Sequence, residues 1–200
     1  MAEATPGLHP AQNRGLRELY AFTRQLASHW ERLAPRVAPG PAPAALEAGA
    51  SAARALLVEL TDLTADYGLY GFPAAQGVGA RLAGLRNTVA DRTLERNQAL
   101  RMAVLDAQHM TTLLAYLAGL GRTRGDRRMQ EFCGGWEQRM REHEAATRRA
   151  AVALGDEPDA AIEPIDRGPV GRAGHGVANA VGTAGEWFDR RAAQRRGGVG

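Results

Sequence analysis

The stretch LRMAVLDAQHMTTLLAYLAGL, residues 100–120, decides the fold. Met102, Leu105, His109, Leu113, Tyr116 and Leu120 recur every three or four positions, the period of one face of an α-helix. No two-residue alternation competes with it. Asp106 and His109 lie within this apolar face, three residues apart and within reach of each other. The pair reads either as ligands or acid–base groups, or as a hydrogen-bonded polar pair in a core.

The same period defines three more helices. Leu16, Leu19, Thr23, Leu26, Trp30 and Leu33 form one stripe over 13–34. Four prolines in APRVAPGPAPAA, residues 34–45, stop that helix. A second helix over 44–67 turns Leu46, Ala53, Leu56, Leu60, Leu63 and Tyr67 inward, and its alanine- and glycine-rich start admits a large neighbour such as Trp30. YGLYGFPAAQGVG, residues 67–79, is a connector long enough to cross the molecule. Gly77, Gly79 and Gly84 follow no strand, so they are not a dinucleotide loop. Leu82, Leu85 and Val89 suggest a short helix over 80–90, ahead of the third long helix over 91–118. Asp126 caps a fourth helix, whose stripe is Met129, Phe132, Cys133, Trp136, Met140, His143, Thr147, Ala150 and Leu154.

These elements predict an all-α protein, a four-helix bundle of up-and-down or crossover connection, over residues 13–155. Residues 1–12 read as a flexible N-terminus. An acidic proline-containing linker follows at 156–170, then a Gly-rich amphipathic segment at 171–189 and a basic disordered tail at 190–200.

Composition narrows the function. There is no lysine; arginine supplies all 25 positive side chains against 22 acidic ones. Residues 1–155 carry 19 Arg against 15 acidic residues, and 156–200 carry 6 against 7. No basic stripe with interleaved aromatics appears, which disfavours nucleic acid. The single cysteine, Cys133, excludes a disulfide framework and a cysteine zinc cluster. No signal peptide or spanning helix is read, so the expected location is the cytoplasm.

One constellation carries chemistry. Antiparallel pairing around a turn at residues 123–124 sets Asp106 level with Met140 and Arg141, and His143 within about 3 Å along the axis. Glu18 and Glu59 are the carboxylates best placed to complete a site. Asp106, His109, His143, Glu18 and Glu59 are therefore the candidate ligands, with iron or manganese as the expected metal. Inward carboxylates and histidines are how ferritin-like bundles hold two irons. The spacing here agrees only in part: Asp106-x-x-His109 stands once, where such bundles carry Glu-x-x-His twice. The competing reading is a core polar network without chemistry, and it is preferred.

Two further features stand out. Gly134-Gly135 inside a helix is costly and points to close packing or to a kink that opens a pocket. In the C-terminal segment, Val177, Val181, Ala184 and Phe188 share one helical face, with Trp187 beside it. Glycines at 171, 174, 176, 182 and 185 make it a poor isolated helix that needs a surface. Val177, Val181, Trp187 and Phe188 are the candidate docking residues.

The leading expectation is a non-enzymatic cytoplasmic interaction or scaffold protein with a C-terminal docking segment, dimeric through its alanine-rich faces. A ferritin-like metal protein, acting as an oxidoreductase if it is an enzyme, is the alternative. A peripheral membrane protein is the second, disfavoured by the small apolar face of the tail.

Overall fold

The computed structural model describes residues 8–69, 94–166 and 168. Among them the protein is all-α, with no strand. The long helices are α1 (Pro10–Leu33), α2 (Ala42–Asp66), α3 (Arg96–Arg124) and α4 (Arg127–Ala153). A one-turn helix, α5 (Pro158–Ala161), follows, and 3-10 turns lie at Ala34–Val37 and Leu154–Asp156. The expected short helix over 80–90 and the C-terminal residues Val177, Val181, Trp187 and Phe188 lie outside the described residues.

Local chemistry sets the helix ends. α1 starts three residues earlier than its stripe predicts. Pro10 suits the first turn, where its missing N–H is not needed. His9 Nδ1 accepts from Ala11 N at 3.1 Å, and Gln12 Oε1 accepts from His9 N at 3.0 Å. α3 starts later than expected, at a reciprocal cap between Glu95 and Gln98. It also runs past Gly119 and Gly121 before stopping at Gly125, whose φ is 70°. There Asp126 N donates to Gly121 O and Gly125 N to Arg122 O, the paired bonds of a Schellman turn. Asp126 then caps α4 through Met129 N at 3.0 Å.

α1 packs on α2 and α3, and α4 packs on the same two helices. The buried stripe of α1 is the one its spacing predicts: Leu16, Leu19, Thr23, Leu26, Trp30 and Leu33. Trp30 lies against Gly49 of α2, where an added Cβ would meet its ring at 2.0 Å. α3 differs from expectation. Its buried stripe is Leu100, Ala103, Ala107, Met110, Leu114, Leu117 and Gly121. Five of these positions, 103, 110, 114, 117 and 121, lie one residue beyond the stripe read from the sequence, a rotation of about 100°, and of that earlier stripe only Leu113 is buried as well. The reason is steric. Ala103, Ala107 and Gly121 let neighbours close in, so the small-residue face goes inside although the other face carries larger apolar groups.

The two ends of the molecule are tied by different bonds. At one end Arg96, 2 % exposed, donates from Nη2 to Val37 O at 2.7 Å and to Pro39 O. At the other, the Tyr67 hydroxyl donates to the Asp126 carboxylate at 2.7–2.8 Å. Leu69 and Leu94 therefore lie at opposite ends of the helices. Residues 156–166, read from sequence as the start of a linker, lie against α3. Arg96 N donates to Glu163 O at 2.9 Å, Ile165 N to Leu94 O at 3.1 Å, and Ile165 is buried.

Candidate functional site

The rotation of α3 moves His109 from the expected interior to the α1–α3 seam, half in water. Its Nε2 lies 3.5 Å from Glu18 Oε1, and Phe22 of α1 meets its ring edge-on at 4.5 Å between centroids. The structure thus pairs Glu18 with His109. Asp106 sits one turn earlier on α3, partly buried.

Glu59 belongs to a different seam. Trp136 Nε1 of α4 donates to Glu59 Oε2 at 2.8 Å, and the Arg139 guanidinium lies 4.6 Å from the Trp136 ring centroid. Arg139 also approaches Glu59 at 3.8 Å. The carboxylates of Glu18 and Glu59 therefore face α3 and α4 respectively, rather than one shared centre. His143 is partly buried on α4, and burial lowers its pKa, an effect Glu142 opposes. Among the described residues, no group of three or more His, Cys, Asp or Glu is placed to hold a metal ion.

Gly134 and Gly135 do not answer to close packing: a Cβ added at either meets nothing within 4 Å, and α4 is helical through both. Cys133 is buried, and its thiol is pushed up to about 12, first by burial and then by Asp126. A thiol so rarely ionised is a small apolar group rather than a nucleophile.

What the rotation exposes is two large apolar side chains on the outer side of α3. Leu105 is 55 % exposed and Tyr116 50 %, with His109 and Thr112 between them in the same row. The four recur at spacings of four, three and four, so they form one strip along the outer side of the helix. Comparison with models of known families, with curated proteins and with solved structures returns no match to this chain. The strip is the feature that sequence reasoning missed. The spacing places Leu105 and Tyr116 in the core because a helix with apolar residues on two sides offers two stripes to read. The signal for the right one was the run of small residues at 103, 107 and 121. No helix among the described residues is long and apolar enough to cross a membrane.

Proposed function

We propose that this protein is a non-enzymatic interaction protein of the cytoplasm. Its four long helices form a bundle with one crossover between α2 and α3, and the outer strip of α3 receives a helical partner. The observation that carries this reading is the exposure of Leu105 and Tyr116 on a helix whose opposite face is already fully buried. A surface helix of a monomeric protein needs one apolar face. A second one, with an aromatic anchor and a row at helical spacing, has the form of a groove-and-helix contact. The partly exposed Glu18, paired with His109, puts a polar group along the α1 side of the strip, as the rim of such contacts requires.

The test compares full-length protein with the double variant Leu105→Glu/Tyr116→Glu, expressed at equal levels in the native host. Affinity capture with quantitative mass spectrometry should find proteins enriched by the wild type and lost with the variant. The thermal midpoint should be unchanged, because both side chains are at the surface. Equal recovery by the two forms, or nothing above a tag-only control, sinks the reading.

A further inference from the structure

The paired glycines of α4 stand at the middle of an exposed face. Met129, Cys133, Trp136, Met140, Thr147 and Ala150 are buried, so the opposite side of the helix carries Arg127, Glu131, Gly134, Gly135, Gln138 and Glu142. Gly134 is partly exposed, and the other five are exposed. A glycine within a helix is less favourable than alanine. Among the described residues, nothing comes within 4 Å of a Cβ built at either position, so no close neighbour in the chain accounts for the pair. A neighbour from outside would. The distance between packed helix axes, about 8–10 Å, is set by the side chains between them, and glycine brings it to the lower end.

The residues around the glycines say which helix fits. Glu131 lies three residues before Gly134, and Gln138 three after Gly135. Arg127 lies seven before Gly134, and Glu142 seven after Gly135. A second copy of α4, laid antiparallel with the glycines at the crossing, therefore sets Arg127 opposite Glu142 and Glu131 opposite Gln138. The two-fold axis repeats both pairs. Each pair is attractive: a guanidinium with a carboxylate, and a side-chain amide with a carboxylate. Parallel copies would instead set Arg127 against Arg127 and Glu142 against Glu142. Arg127 approaches its own Glu131 through Nη2 at 3.5 Å, which leaves other N–H groups of the guanidinium for a carboxylate across the axis. At seven residues, roughly 10 Å, from the crossing, these long side chains still span two diverging helices.

We infer that the protein forms a two-fold dimer in which α4 crosses α4 of a second copy, antiparallel, at Gly134 and Gly135. The contact uses neither Leu105 nor Tyr116, so it is independent of the strip on α3. The polar pairs set the register and orientation, and the missing side chains let the backbones close in.

Sedimentation equilibrium of the full-length protein tests it, with circular dichroism to show that each variant is folded. Wild type should show a monomer–dimer equilibrium in the micromolar range at low ionic strength, weakened by added salt. Gly134→Gln/Gly135→Gln favours the helix but fills the crossing, and should raise the dimer dissociation constant at least about tenfold. Arg127→Glu and Glu142→Arg should each weaken the dimer by about tenfold, and the double reversal Arg127→Glu/Glu142→Arg should restore it. Leu105→Glu/Tyr116→Glu should leave the constant unchanged. A wild type that stays monomeric through the micromolar range overturns the proposal. So does an unchanged constant in the glycine variant, or a double reversal that binds no more tightly than either single one. Loss of the dimer in Leu105→Glu/Tyr116→Glu places the second copy on α3 and overturns it as well.

Discussion

His29 is an imidazole held inside the buried side of α1, only 4 % exposed. Burial first, and then the nearby Arg32 and Arg36, pull its pKa from 6.5 to about 4. In the folded protein it is neutral at pH 5; in the unfolded chain it is protonated. The unfolded state then binds the extra proton, so stability is full above about pH 6.5 and falls toward pH 4. A shift of this size corresponds to about 3 kcal/mol across that window. Urea unfolding of wild type and His29→Leu at pH 7.5, 6, 5 and 4.5 isolates it. The difference between the two should move toward the variant as pH falls, whatever the offset at pH 7.5. A pH-independent difference would show that His29 keeps its ordinary pKa. Glu18 and His109 invite a second test at this scale. One carboxylate and one imidazole at 3.5 Å, both about half exposed, are short of the ligand count that a stable metal site needs. Elemental mass spectrometry of untagged protein should find iron, manganese and zinc well below one equivalent, including after anaerobic loading with ferrous ion. A full equivalent lost on His109→Ala would overturn this.

Among the helical elements, glycines within helices have opposite costs. Gly134 and Gly135 face open space within α4, so alanine at either should raise stability by about 1 kcal/mol through helix propensity alone. Gly49 instead presses on the buried Trp30 ring, and an added methyl would overlap it at 2.0 Å. Gly49→Ala should lower stability by about 2–3 kcal/mol through overpacking. Thermal melts followed by circular dichroism rank the three variants, and the order 134 and 135 above wild type above 49 is the result to check. Size alone suggests Trp30 against the small residues around Gly49, whereas nothing in the sequence tells whether Gly134 and Gly135 face a neighbour or open space. The same limit explains what was legible overall. α1 and α2 were readable because each has one apolar side, and Trp30 was matched to the small residues of α2 from size alone. Asp126 was readable as a cap because its chemistry is local. The row of α3 differs from expectation because Leu105, Tyr116 and Leu120 compete with Leu100, Met110, Leu114 and Leu117, while Leu113 is buried in either reading. Only tertiary packing chooses between those rows, and the candidate site moved with the choice.

For the whole molecule, the question is whether the two hairpins unfold as one body. α1 with α2, and α3 with α4, each share a turn, and a crossing bond ties the hairpins at either end. Arg96 of α3 reaches the carbonyls of Val37 and Pro39 beyond α1, and Tyr67 beyond α2 reaches Asp126 at the α3–α4 turn. Between these ends the core is continuous: Leu16 and Leu56 belong to one buried cluster with Met110 and Met140. Contacts of that kind make partial unfolding expose apolar surface on both hairpins, which favours a single transition. Two buried tryptophans report on the two halves. Trp30 lies between α1 and α2, and Trp136 lies on α4 and bonds to α2. In a Trp187→Phe background, Trp30→Phe and Trp136→Phe leave one buried probe each. Each variant's fluorescence midpoint in urea should coincide with its own circular dichroism midpoint. Arg96→Met in this background should lower stability by about 2–3 kcal/mol, because it leaves buried carbonyls without a donor. Its effect should be the same at both probes. If Arg96→Met shifted one tryptophan and not the other, the hairpins would be separate folding units, and the clasp at Arg96 would hold only one of them.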